Sequence, residues 1–305
     1  MSKVAKLHDD EVEIDAELVA RLLAEQFPDW ADAPIEVVAS SGTDNVTFRV
    51  GEDLAARLPR TVSTQGQVEE DLTWLPRLAP HLPLAVPEPL ALGEPGAGYP
   101  FTWGVYRWLD GEAFELDQLA DPNAAARDLA EFIRALQAVD TTGAPVPSDD
   151  PFSRGTPLKP RDAMFREALD QLRDEFDTEL VLEAWDASLA ADTYSGPPVW
   201  VHGDLMSGNL LVADGNLSAV IDFGTARAAD PAADVLPAWW LFEGDSRQAF
   251  RDALQVDRTT WTRARGWALS LSMIAIPYYR TRRPDPNPGE HPFITDLLTD
   301  FKADR

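Results

Sequence analysis

His202-Gly203-Asp204-Leu205-Met206-Ser207-Gly208-Asn209 opens the stretch that decides the reading of this 305-residue chain. Leu210-Leu211-Val212 follows, then a polar turn at Ala213-Asp214-Gly215-Asn216, then Leu217-Ser218-Ala219-Val220-Ile221 and finally Asp222-Phe223-Gly224. Two apolar runs around an Asp-Gly turn predict a β-hairpin. A hairpin brings its ends together. Asn209 opens one arm and Asp222 closes the other, so both side chains arrive at the same end, with Asp204 just before the first arm. The donors are oxygen only: two carboxylates and one amide. Such a set suits Mg²⁺ shared with substrate phosphates.

Phosphoryl transfer asks for this set. One Asp accepts the proton of an attacking hydroxyl, and an Asn with a second Asp holds the metal that neutralises the phosphates. The spacing His-x-Asp-Leu-x-x-x-Asn followed by Asp-Phe-Gly is that of a kinase catalytic set, with Gly203 where an Arg is usual. Plainer readings stand beside it. Asp214 and Asp222 serve equally as turn residues, Asp204 and Asn209 as caps, and a pair of acids also suits glycoside hydrolysis. His202 reads as a loop-fixing residue rather than a base. The four histidines (His8, His81, His202, His291) are scattered, which disfavours a zinc site.

Composition narrows the classes further. The chain carries 52 acidic and 26 basic residues, a formal charge of −26, and no cysteine. So acidic a fold repels phosphate backbones, so no nucleic-acid partner is expected. The acids read as a solvated surface or as a field partly aimed at a cationic ligand. No disulfide scaffold or Cys nucleophile is available. The first fifteen residues hold no apolar core of a signal peptide. The most apolar long stretch, Trp267–Tyr279, is interrupted by Ser270, Ser272 and Pro277 and falls short of the ~20 residues a bilayer span needs. The expectation is a cytoplasmic protein with no membrane partner.

Along the chain, Ile14, Leu18, Leu22, Leu23 and Phe27 recur at helical spacing and stop before Pro28. Strands are expected at Pro34–Val38, Val46–Val50, Leu54–Leu58 and Phe101–Leu109. A helix carrying Val68, Leu72, Leu75 and Leu78 falls between the last two, followed by a Pro-punctuated connection from Pro80 to Pro100. After Asp110-Gly111 the pattern turns helical, starting at the Asp121-Pro122 cap and resuming near Asp162, with a short β insertion at Val199–Ile221. The predicted architecture is α+β and bilobal: a small β-rich nucleotide-binding lobe over residues 1–105, a hinge at 106–111 and a larger helical lobe at 112–305. A cleft between lobes is a preferred ligand site.

These motifs resemble the aminoglycoside phosphotransferase family, part of the wider protein-kinase-like fold that includes choline and macrolide kinases. The similarity is carried by His202-Gly203-Asp204-Leu205 to Asn209 and by Ile221-Asp222-Phe223-Gly224, and it extends from about Ile35 to about Phe250. It implies ATP or GTP as co-substrate, Asp204 as catalytic base, and Asn209 and Asp222 as Mg²⁺ ligands. It places Ser41, Gly42 and Asn45 in the nucleotide-positioning loop and Tyr106 and Trp108 at the hinge that meets the base, through backbone groups. Two departures stand out. The third strand of such folds supplies a Lys to the phosphates, where this chain has Arg57. The helix that follows supplies a Glu to orient that cation, where it has Asp71. Asp234 falls near an acidic residue the family keeps after its metal-binding loop, although a helix N-cap is an equal reading.

No Ala-Pro-Glu follows Asp222-Phe223-Gly224, and Asp230-Pro231 and the apolar run Val235–Phe242 come within a few residues. There is no room for a peptide platform, so a small hydroxylated acceptor is expected. Its candidate wall is Arg154-Gly155, Trp239, Trp240, Glu243, Asp245 and the last residues of the chain, although Trp239 and Trp240 read more readily as core and Glu243 and Asp245 as solvated. If they face the acceptor, an acidic rim would draw a cationic antibiotic or amino sugar, and an aromatic wall would suit a macrolide or a quaternary amine. A non-catalytic nucleotide-binding module, suggested by Arg57 and Asp71, is the alternative. The sequence sets no oligomeric state.

Overall fold

The computed structural model describes residues 11–38, 44–280 and 292–304. By packing, the chain divides into two compact units. The first joins Met1–Phe114 with Gly208–Asp214 and Ser218–Gly224, and the second holds Glu115–Ser207, Gly215–Leu217 and Thr225–Arg305.

The first unit begins with α1 (Ala16–Gln26), where Asp15 accepts from the Leu18 amide at 2.8 Å and so caps an otherwise orphaned donor. Strands β1 (Ile35–Val37), β2 (Asn45–Val50) and β3 (Leu54–Pro59) follow, then α2 (Gln67–Leu78), β4 (Pro89–Gly93), β5 (Trp103–Arg107) and the short β6 (Glu112–Ala113). Five of these strands make one antiparallel sheet in the order β1-β2-β3-β5-β4. Strand β4 lies inside the stretch read as a Pro-punctuated connection. Its Pro89 opens an edge strand, where a missing N–H is tolerated.

Side chains alternate across a pleated sheet. One face carries Val46, Phe48 and Val50, then Ala56 and Leu58, then Trp103 and Val105, all buried in a cluster with Leu18, Val19, Leu22 and Leu23 of α1. The other face carries Asn45, Thr47, Arg57, Gly104 and Tyr106, for Thr47 and Gly104 both pair with Arg57. Apolar burial thus fixes the register, and the register fixes which polar groups share the opposite face.

The second unit starts with α3 (Pro122–Gln137), whose first turn donates to Asp121 at 2.9 and 3.0 Å. Helices α4 (Asp162–Gln171) and α5 (Thr178–Ala190) and strand β7 (Val199–Val201) follow. The predicted hairpin follows, β8 (Leu210–Ala213) and β9 (Asn216–Val220), most of it grouping with the first unit and Gly215–Leu217 with the second. Asp214 and Gly215 turn it at φ 51° and 75°, the positive values a two-residue hairpin turn needs. Three hydrogen bonds tie the hairpin down: Phe114 N to Leu210 O, Ala85 N to Ser218 O and Val220 N to Ala85 O.

Strand β10 (Arg227–Ala229) pairs antiparallel with β7. Helices α6 (Pro237–Trp240), α7 (Gly244–Leu254), α8 (Arg258–Arg280) and α9 (Pro292–Ala303) complete the second unit. Its arginines are largely engaged within it. Arg263 grips Asp230 with two bonds (2.7 and 3.0 Å), and Arg280 grips Glu175 (2.7 and 2.9 Å). Trp267–Tyr279 is part of the longer α8, yet no described helix is long and apolar enough to cross a membrane.

Candidate active site

The polar face of the first unit's sheet converges on one cation. Arg57 donates through Nη1 to Asp71 Oδ2 at 3.0 Å and through Nη2 to Asp222 Oδ1. A guanidinium has only donors, so the Asn45 amide meets it with its oxygen, 2.9 Å from Nη2 and 3.2 Å from Nε, and with the Gln67 amide 3.1 Å away. The Tyr106 hydroxyl donates to the same Asp71 oxygen at 2.9 Å. Thus Asn45, Arg57, Asp71, Tyr106 and Asp222, five residues singled out from sequence, form one network.

Gly104 makes room for it. It sits opposite Arg57, and a Cβ there would lie 2.5 Å from the Tyr106 ring and 2.8 Å from Val68. Nothing in the sequence singled this glycine out, because the need for it arises only when three elements meet.

Burial sets the charges. Asp71 is 3% exposed, and burial pushes its carboxyl up to about 6, although Arg57 and the Tyr106 hydroxyl draw it down. Burial alone would lower Arg57 as well, but the Asp222 and Asp71 carboxylates more than offset this and hold it firmly charged. The Tyr106 hydroxyl is raised, first by burial and then by Asp71. Asp222 adopts φ 64°, a left-handed conformation that Asp tolerates better than most residues. Ile221 N donates to Asn209 O at 2.9 Å, which brings the two ends of the hairpin together as predicted.

The loop with Asp204 is pinned within the second unit. His202 N and Gly203 N donate to the two oxygens of Asp234, each at 2.7 Å. Asp234 is wholly buried, and burial raises its carboxyl against the pull of His202 and the two amides. The Thr225 hydroxyl donates to His202 O at 2.7 Å, and His202 Nδ1 accepts from Asp204 N at 3.3 Å, the loop-fixing contact expected of this histidine. Arg154 Nε donates to Gly203 O at 2.9 Å, and its Nη2 lies 3.5 Å from Asp204 Oδ1. Asp234 is therefore no helix cap; that place belongs to Asp230.

A sequence model of the phosphotransferase enzyme family matches residues 36–267, more than half of the chain. The chain belongs to this family. It is a phosphotransferase that acts on hydroxyl groups, with the kinase-like α+β fold expected of it. No curated protein matches the sequence closely enough for comparison. Among solved structures, the phosphotransferase resembles the GDP and kanamycin complex of APH(2")-IIia at TM-score 0.69 and 24% identity, over 94% of this chain and 99% of that one. It resembles the streptomycin–ATP complex of APH(2")-IIa at TM-score 0.60 and 19% identity, over 88% and 95%. Macrolide 2'-phosphotransferase MphH from Brachybacterium faecium matches at TM-score 0.59 and 25% identity, over 93% and 97%.

Ser41 and Gly42 lie outside the described residues. The Trp108 indole donates to Asp110 at 2.9 Å beneath the Arg49 guanidinium, so its side chain is engaged at the surface. The candidate acceptor wall follows the plainer reading in part. Trp239 is core, 4.7 Å from the Trp261 ring, Trp240 donates to Ser272 at 3.3 Å, and Glu243 closes a capping box with Ser246 at the start of α7. Asp245 remains exposed.

Asn209 and Asp222 group with the first unit and Asp204 with the second, the chain crossing at Ser207–Gly208. The residues fit Mg²⁺ that arrives with a nucleotide. Asn209 and Asp222 offer hard oxygen atoms at the base of one hairpin, and Asp222 already faces a cation in Arg57. Among the described residues no three His, Cys, Asp or Glu side chains gather as an all-protein metal cage.

Proposed function

We propose that this protein is a cytoplasmic ATP- or GTP-dependent kinase that transfers the γ-phosphoryl group to a hydroxyl of a small molecule: an antibiotic, an amino sugar or a related metabolite. The observation that carries the proposal is the Arg57 network. Arg57, the candidate phosphate-binding cation, and Asp222, the candidate metal ligand of Asp-Phe-Gly, lie side by side with Asp71 and Asn45 on one sheet face. Kinase chemistry needs these groups adjacent. The nucleotides and antibiotics named for similar solved structures point the same way for donor and acceptor.

In this reading Asp204 accepts the proton of the acceptor hydroxyl as that oxygen bonds to the γ-phosphorus and the bond to the β-phosphate oxygen breaks. Nucleoside diphosphate leaves and a phosphate ester forms. Asn209 and Asp222 would hold Mg²⁺, which when bound would neutralise charge on the phosphate oxygens. Arg57 moves one guanidinium edge onto the phosphates while Asp71 keeps the other, a bidentate grip that a lysine does not offer. Asp71 takes the orienting role of the family's Glu, one methylene shorter because the Arg is longer.

The test is acceptor-dependent release of nucleoside diphosphate across aminoglycosides, macrolides, choline and amino sugars, with Mg²⁺-ATP and Mg²⁺-GTP. Asp204→Asn is expected to abolish transfer and keep nucleotide binding, whereas Asp222→Ala weakens the binding itself. Nucleotide-induced thermal stabilisation with no turnover on the panel would favour the non-catalytic module. An Asp204→Asn variant with the parent rate would refute the base assignment.

A further inference from the structure

We propose that Arg154 is the positioning residue of the catalytic base: an arginine strap from a distant segment that holds the Asp204 loop and aims its carboxylate. The inference rests on the reading of Asp204 as the base. From His202 to Asn209 the loop has no Lys or Arg of its own. Arg154 supplies the cation. Its Nε donates to Gly203 O at 2.9 Å, its Nη1 to Phe152 O at 2.8 Å, and its Nη2 sits 3.5 Å from Asp204 Oδ1. One planar group thus joins its own segment, the loop backbone and the carboxylate. A lysine, with one compact ammonium, cannot span all three.

The loop is shaped to receive it. Gly203 has φ 81°, and a Cβ there would lie 2.9 Å from Arg154 Cβ and 3.0 Å from its Cγ. Only glycine lets the arginine stem cross at this height. Asp234 holds the amides of residues 202 and 203, and Thr225 holds the carbonyl of 202. Arg154 takes the carbonyl of 203, the last group before the base, so its removal frees the part of the loop nearest Asp204.

The strap is rooted in the core. Arg161, wholly buried, donates from Nε to Ser270 at 2.9 Å and from Nη1 to Pro151 O, and its guanidinium lies 4.9 Å from the Trp267 ring and 5.4 Å from the Phe152 ring. The segment that carries Arg154 is thereby fixed to α8. Among the described residues, Arg161 Nη2 has no hydrogen-bond partner and no carboxylate forms an ion pair with this cation. Burial, together with the repulsion between the two guanidinium charges of Arg161 and Arg154, lowers the Arg161 pKa.

Catalytic groups misplaced by about 1 Å lose roughly 10²-fold in rate. Arg154 is partly exposed, so its truncation leaves the core intact. The experiment compares the parent, Arg154→Ala, Arg154→Lys and Asp204→Asn by steady-state kinetics on an acceptor that turns over, by calorimetric titration with Mg²⁺-nucleotide, and by thermal melting. Arg154→Ala is expected to lower kcat by about 10- to 100-fold, with nucleotide Kd and melting temperature near the parent values. Arg154→Lys stays low in kcat, and millimolar guanidinium ion partly restores Arg154→Ala but not Arg154→Lys. Parent kcat in Arg154→Ala, full recovery in Arg154→Lys, or a kcat loss matched by lost nucleotide affinity and a lower melting temperature would each overturn the proposal. Parent turnover in Asp204→Asn would instead overturn the base assignment, so the two failures are told apart.

Discussion

Restoring the family's Lys–Glu pair tests whether Arg57 and Asp71 compensate one another. The perturbations are Arg57→Lys, Asp71→Glu and the double variant. Arg57 bonds Asp71 at 3.0 Å, Asp222, and the Asn45 oxygen at 2.9 and 3.2 Å. An ammonium keeps the charge but reaches only part of this set. A hydrogen bond to a charged group contributes about 1.5–3 kcal/mol, so Arg57→Lys alone should cost about 2 kcal/mol. That is roughly a 30-fold rise in nucleotide Kd. Asp71→Glu pushes a methylene into a side chain 3% exposed, beneath the Tyr106 hydroxyl, at a cost of about 1–3 kcal/mol. Together, the longer acid meets the shorter cation, and the double variant should return to within about 1 kcal/mol of the parent. The coupling would be at least about 2 kcal/mol in favour of the matched pair. Calorimetric titration with Mg²⁺-ATP or Mg²⁺-GTP reads each corner of the cycle. Effects that add to within about 0.5 kcal/mol would show the residues act independently, and the compensation argument would fail.

Further outcomes follow from the same contacts. Asp234→Ala strips two buried amides of their acceptors, each worth about 1–3 kcal/mol, so denaturant melts should show a loss of several kcal/mol together with reduced turnover; a variant as stable as the parent would refute the clamp. The raised Asp71 carboxyl makes a pH prediction. A group whose folded value lies at about 6, above its ordinary 3.8, favours the folded state fully below about pH 4 and loses that contribution as pH rises through 6. The stability of the parent relative to Asp71→Asn should therefore fall by about 2–3 kcal/mol between pH 4 and pH 7 in urea titrations; a flat or rising difference would contradict the buried-carboxylate assignment. Asp204→Asn and Arg154→Ala separate base from strap as set out above: the first should lose turnover outright, the second in part, and both should keep nucleotide affinity.

Much of the site was legible because its motif is local. His202 to Gly224 contains the candidate base, the amide, the turn and the second carboxylate in one run, and an apolar–turn–apolar pattern states its own hairpin. Arg57 and Asp71 were singled out by the family resemblance, which asks for a cation on the third strand and an acid on the helix that follows. Strand β4 was missed because prolines mask a short edge strand, and whether Trp239, Trp240 and Glu243 line an acceptor wall stayed open because a cap and a core contact depend on which face a helix buries.

The sequence by itself determined the chemistry: the types, order and spacing of the oxygen donors, and an alternation of apolar residues that fixes which strand face is buried. Only the tertiary structure decided the partners. Asp234, Arg154 and Thr225 hold backbone groups of the Asp204 loop, while Gly104 and the Tyr106 hydroxyl shape the seat of Arg57. Main-chain amides and carbonyls are the same at every residue, so no side-chain pattern announces which of them will be bonded. The space a glycine leaves has a purpose only once another element comes to fill it.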